Sequence, residues 1–125
     1  MQDIKNILKK ISKLKILVVG DIMLDEYIWG DIKRISQEAP IPIISVNSKS
    51  YNIGGAGNVA SNLVGLGAKV SIAGIIGQDH ESEIIYNIFK KQNIDYSMVF
   101  SLPKRQTTLK SRYLLELKQC IYEPQ

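Results

Sequence analysis

Gly54-Gly55-Ala56-Gly57-Asn58-Val59-Ala60 decides how the chain is read. Paired glycines tolerate positive φ and let a backbone come close to a ligand. The helical spacing of Val59, Leu63 and Leu66 behind them predicts a helix whose first N–H groups point at whatever fills the turn. Three readings stay open at this point. The turn can hold the oxygen atoms of a small polar molecule, or it can serve only to pack a helix tightly. It can also be a dinucleotide fingerprint, since Gly55 to Ala60 matches G-x-G-x-x-G/A and Asp79 lies about twenty residues further on. The third is weakened by Asn47-Ser48-Lys49-Ser50-Tyr51-Asn52, too polar for the buried parallel strand such a fingerprint follows, and by an earlier apolar strand at Ile16 to Val19.

Upstream of the turn, Lys15-Ile16-Leu17-Val18-Val19-Gly20 reads as a buried central strand ended by glycine. Asp21 and Asp25 follow it. In open α/β sheets ligands bind beyond the carboxyl ends of strands, so these aspartates can accept hydrogen bonds from hydroxyl groups; the bland alternative is a turn cap and a solvated carboxylate. Between Gly20 and Gly55 no helix of useful length fits. Tyr27 to Ile32 and Ile41 to Val46 instead predict a two-stranded excursion that leaves the main sheet and returns at the glycine turn, with Tyr27, Trp29 and Ile43 in need of a cover.

Downstream, Gly65-Leu66-Gly67-Ala68 closes the helix, and Lys69 to Gly77 is a second core strand. Asp79 caps a helix running to about Gln92, and Asp95 to Phe100 is a third strand. His80, the only histidine, has neither nucleophile nor metal ligand beside it and reads as a surface residue. In Thr107 to Leu115 the spacing of Lys110 and Arg112 puts two cations on one strand face, which suits a phosphate or a merely solvated surface.

Composition narrows the classes. The chain has 125 residues, 45% of them apolar and 22% charged, as expected of one ordinary globular domain, and no apolar run approaches a membrane span. The net charge of +4 sits in the first fifteen residues, where five lysines face Asp3; beyond them eleven basic side chains balance eleven acidic ones. That distribution argues against a nucleic-acid groove. Ile4, Ile7, Leu8, Ile11 and Leu14 recur at helical spacing opposite the lysines, predicting an amphipathic helix that docks on the domain rather than on a membrane. The start of the chain does not read as a secretory leader, so a cytoplasmic location is expected. Cys120, the single cysteine, predicts neither disulfide nor metal site.

Four stretches taken together carry a resemblance. Val18-Val19-Gly20-Asp21-Ile22-Met23-Leu24-Asp25, Arg34-Ile35-Ser36-Gln37-Glu38-Ala39-Pro40-Ile41-Pro42, Gly54 to Ala60 and Thr107-Thr108-Leu109-Lys110-Ser111-Arg112 occur in the order and spacing of the ribokinase-like (PfkB) sugar kinases. Within that family the chain most resembles the kinases of heptose 7-phosphate. The resemblance implies the N-terminal part of a ribokinase-like three-layer α/β fold with a small β lid. The core would be 1–26 and 53–103, and the lid strands about 27–52 and 104–117. It implies that Asp25 binds sugar hydroxyls, that Gly54 and Gly55 form the hinge of the lid, and that Asn58 contacts the sugar. Lys110 and Arg112 are our choice for the substrate phosphate.

Family members use ATP with magnesium and carry a Gly-Ala-Gly-Asp turn whose Asp is the base. This sequence has no such turn, and the family's nucleotide-binding half is not in it, so no catalytic residue is assigned. Gln37 replaces a proline of the lid motif, and Glu116 to Gln125 departs from the family path. The partners expected are a phosphorylated sugar and either a second copy paired through the lid strands or a complementing C-terminal half. Nucleic acid and membrane are not expected partners.

Overall fold

The computed structural model describes residues 2–116. In chain order the elements are α1 (Gln2–Ile11), β1 (Lys15–Val19), β2 (Ile22–Ile35), β3 (Pro42–Gly55), α2 (Ala56–Gly65), β4 (Lys69–Gly77), α3 (His80–Lys91), β5 (Asp95–Leu102) and β6 (Thr108–Glu116). The strands form two three-stranded sheets, ordered β1-β4-β5 and β3-β2-β6. The chain divides into two compact units, one comprising residues up to Leu24 with Asn52–Lys110, the other Asp25–Tyr51 with the stretch from Ser111 on.

The first unit is built on β4, which pairs in parallel with β1 on one side and β5 on the other. Parallel pairing needs a helical crossover, and α2 and α3 provide it, α2 packing on β1 and β4, α3 on β4 and β5. Beneath them Val70, Ile72, Ile76 and Val99 from the strands meet Ala60, Ile85 and Phe89 from the helices, all buried. The Phe89 ring lies 6.4 Å from that of Tyr96, which in turn sits 5.2 Å from Tyr86. Gly67, at φ +98°, ends α2, and the Ala68 N–H donates to the Leu63 carbonyl at 3.1 Å. Asp79 caps α3 through a reciprocal box with Ser82.

One irregularity interrupts this sheet. Ser71 pairs with Asp95 and Ala73 with Met98, so two residues of β4 face three of β5. The Asp95 carboxylate bridges the bulge, accepting from the Ser97 N–H at 2.9 Å and the Ser71 hydroxyl at 3.4 Å.

Two expectations are corrected here. Among the described residues β1 is the first strand in its sheet's order, paired on one side only, and Leu17 and Val19 are half or more exposed, because the helices cover only the opposite face. The amphipathic first helix forms, but no residue of α1 is buried, and Ile4 and Ile7 remain 60% and 54% exposed. Its few aliphatic side chains find no apolar groove among the described residues.

The second unit draws on three long strands. Between Gly20 and Gly55 there is no helix, and the strands there run longer than the sequence pattern indicated. Ile28 is buried, as is Asp31, whose carboxylate accepts from the Asn47 amide at 3.1 Å. Adjacent strands β2 and β6 exchange side-chain bonds: the Ser111 hydroxyl donates to Glu26 at 2.9 Å, and Arg112 donates to the Tyr27 hydroxyl at 3.2 Å. The Arg112 guanidinium also lies 5.6 Å from the Tyr27 ring centroid. Residues 117–125, on which the expectations for Cys120 and the chain's last stretch fall, lie outside the described residues.

Candidate functional site

The glycine turn is fastened to the carboxyl end of β1. The Ala56 N–H donates to the Asp21 carbonyl at 2.7 Å, and a Cβ on Gly55 would run into that same oxygen. Gly55 holds φ +60° and ψ −134°, a region essentially confined to glycine. It is the N-cap residue of α2 and supplies no side-chain cap, so beyond the Ala56 N–H no side chain closes the helix start. Gly54 is buried, while Gly55, Asn58 and the Asp21 side chain are exposed. Gly54 and Gly55 end β3 and Asn58 lies in the first turn of α2, beside the carboxyl end of the parallel strand β1.

The remaining expected residues lie on long strands. Asp25 is half-buried on β2. Lys110 and Arg112 are both exposed on β6, and Arg112 is engaged by Tyr27 as described.

A buried junction lies where β4 ends, α3 begins and β6 is about to start. Thr107 is 6% exposed. Its hydroxyl donates to one Asp79 carboxylate oxygen at 2.7 Å and accepts from the Gly77 N–H at 2.9 Å, while its N–H donates to the other Asp79 oxygen at 2.8 Å. The Ser82 N–H adds a further bond to Asp79 at 2.9 Å. Burial pushes the Asp79 carboxyl up, but the bonds from Thr107 and Ser82 outweigh it and hold the group below its ordinary value. Gly77 cannot carry a Cβ, which would meet the Arg105 carbonyl, the Asp79 carboxylate and the Thr107 nitrogen. The sequence named Asp79 as a helix cap and as the acidic residue of the dinucleotide reading, not as a partner of Thr107. Its partner lies 28 residues on, and no local pattern signals that link.

Among the described residues no group of three His, Cys, Asp or Glu is placed to hold a metal ion. The exposed His80 fits its expected surface role.

The geometry can now be set beside known proteins. The sequence pattern of the pfkB family carbohydrate kinases matches residues 13–119. A curated protein of Geobacter metallireducens, called Bifunctional protein HldE, is 40% identical over 120 residues, 96% of this chain and 24% of its own length. A protein of the same name from Helicobacter pylori is 46% identical over 107 residues, 86% of this chain and 23% of its own. The chain thus spans about a quarter of the length of these relatives. Among solved structures, a carbohydrate kinase from Agrobacterium tumefaciens superposes with a TM-score of 0.65 at 27% identity, covering 81% of this chain and 31% of that one. An Arabidopsis thaliana ribokinase complexed with ribose and ATP shares the fold at a TM-score of 0.64 and 20% identity, over 79% of this chain and 31% of its own. With the fold, the ordered motifs and the family pattern in agreement, the chain belongs to the pfkB family of carbohydrate kinases.

Proposed function

We propose that these residues are the sugar-binding and lid portion of an ATP-dependent kinase of heptose 7-phosphate, and that alone they do not transfer a phosphoryl group. The observation that carries the reading is the glycine turn seated on the Asp21 carbonyl, with no side chain capping α2. The two relatives called HldE, 40% and 46% identical, support the choice of sugar. Asp25 accepts hydrogen bonds from sugar hydroxyls, Asn58 contacts the sugar, and Gly54 and Gly55 supply the turn that brings backbone close to it. Lys110 and Arg112 contact the substrate phosphate, where two cations offset its charge.

The full reaction moves the γ-phosphoryl group of ATP to a sugar hydroxyl, giving the 1,7-bisphosphate and ADP. The described residues offer neither a Gly-Ala-Gly-Asp turn nor a carboxylate cluster fit for magnesium, and no step is routed through either. A complementing C-terminal half would supply the donor site. No helix among the described residues is long and apolar enough to cross a membrane. A cytoplasmic setting, without membrane or nucleic-acid partners, accords with the chain's charge distribution.

Titrating the purified chain calorimetrically with heptose 7-phosphate, unphosphorylated heptose and ATP tests the reading. Binding of the phosphorylated sugar, with weaker binding of the plain sugar and none of ATP, is the expected result. Turnover in the presence of ATP and magnesium would overturn it, as would ATP binding without sugar binding. A second reading, pairing of two copies through the lid strands, draws on the exposure of Trp29, Val46 and Tyr113, each 48% or more. A stable dimer by light scattering with no sugar affinity would favour it.

A further inference from the structure

The register of a strand is strongly specified where one of its faces is buried and weakly where both are wet. β6 is of the second kind, since none of its residues is buried. Its register still decides what it presents. Ser111 bonds Glu26 and Arg112 bonds Tyr27, so Arg112 stands on the face of β2 that carries Tyr27 and, two residues earlier, Asp25. Lys110 alternates onto the same side of β6 as Arg112. A slip of one residue would bring Leu109, Ser111 and Tyr113 to that side in place of the two cations.

The residue just before the strand is the fixed one. Thr107 is buried between exposed Gln106 and Thr108, and its hydroxyl and N–H engage both Asp79 oxygens and the Gly77 N–H. Asp79 is itself held at the head of α3 by the Ser82 N–H. Gly77 has no room for a Cβ, so the backbone at Arg105 and Thr107 lies tight against the end of β4. Only about 10 Å of extended chain separates Thr107 from Lys110, too little to absorb a one-residue slip of about 3.3 Å without a bulge. We infer that Thr107, clamped by Asp79 and Gly77, is the positioning residue that sets the register of β6 and thereby the face on which Lys110 and Arg112 stand. A buried hydroxyl does here what an apolar face does in a core strand. The consequence for phosphate recognition rests on the proposal that these two cations contact the substrate phosphate; the register does not.

The test reads the register directly. In a Cys120→Ser chain, Glu26→Cys and Ser111→Cys stand side by side across β2 and β6 and should form a disulfide under mild oxidation. Thr107→Val keeps the size of the side chain but neither donates nor accepts, and it should slow that cross-link about tenfold. Thr107→Ser restores the hydroxyl and should return the parent rate. A residue that only stabilised the first unit would lower the urea midpoint and leave the cross-link alone, so a parent rate in Thr107→Val overturns the inference. If Thr107→Val does not fold, Asp79→Asn, which leaves one Thr107 bond unmade, carries the same comparison with the same two outcomes. Calorimetry on chains with native Glu26 and Ser111 keeps the two proposals apart. Thr107→Val should lose the preference for heptose 7-phosphate over plain heptose, as Lys110→Gln should. A slowed cross-link with the preference intact in both variants sinks only the phosphate contacts. A parent cross-link rate, with the preference lost in Lys110→Gln, sinks only the clamp.

Discussion

The two units of this chain hold their shape by different means. In the first, helices and a parallel sheet enclose Ile72, Ile76, Ile85 and Phe89, each fully buried. In the second, Ile28 is the only buried apolar side chain among the described residues, and order comes from strand pairing and from polar contacts such as Asp31 with Asn47. Burial of apolar area is the dominant stabilising term in folding, whereas strands without a packed face are marginal in water. The difference makes the first unit the scaffold and leaves the second with polar and aromatic side chains at its surface.

That contrast can be broken most directly at Phe89. Phe89→Ala should cost about 3–5 kcal/mol, as large-to-small changes at fully buried aromatics do. Urea unfolding followed by circular dichroism checks it, with fluorescence of Trp29, the only tryptophan, reporting the second unit. A loss below about 1 kcal/mol would mean that the first unit is not the scaffold.

Gly55→Ala comes next. A side chain there must adopt a glycine-only conformation and displace the Asp21 carbonyl, so a loss of about 2–3 kcal/mol is expected, accompanied by loss of sugar affinity. Unchanged stability would show that the turn relaxes freely and carries no fixed site.

Asp79 gives a smaller and pH-dependent effect. Its carboxyl titrates lower in the folded chain than in the unfolded one, so its contribution is fully present above the unfolded value and is lost as pH falls through the folded one. Asp79→Asn keeps an acceptor for the helix cap but leaves one Thr107 bond unmade. It should cost about 1 kcal/mol near neutrality, the screened end of the range for a charged partner. Stability measured from about pH 6 down to about pH 3 should fall less steeply in the variant; parallel curves would remove Asp79 from the account.

Smallest in stability is Arg112→Gln, within about 0.5 kcal/mol because the side chain is exposed. Its signature should be a selective loss of affinity for phosphorylated over plain sugar, with a weaker salt dependence. Equal loss for both sugars would place Arg112 outside the phosphate contact.

Much of this architecture was legible in the sequence because local rules act locally. Lys69 to Gly77 reads as the core strand β4, Asp79 as the cap of α3, and the paired glycines as the turn. What was not legible depends on distance. The order of strands is not encoded within any one strand, so β1 reads as central when, among the described residues, it lies at one end of its sheet. The amphipathic pattern of α1 states that the helix has an apolar face but not that a partner waits within the described residues. The polar run Asn47 to Asn52 hides a strand because its side chains are mostly exposed, so no apolar alternation marks it. The junction of Gly77, Asp79 and Thr107 spans a helix and a strand, and only the fold brings it together.

The extra residue in β5 settles more than a local bend. It lets Tyr96 and Val99, three residues apart, turn to the same side, the Tyr96 ring toward Tyr86 and Phe89 of α3 and Val99 into the core. Without Ser97, Asp95, Tyr96 and Met98 would pair Ser71, Ile72 and Ala73 as an unbroken ladder, and every side chain from Met98 on would keep its face. A residue lost at the bulge should accordingly be far better tolerated than one lost or gained beyond it, where Val99 and Phe100 would exchange faces.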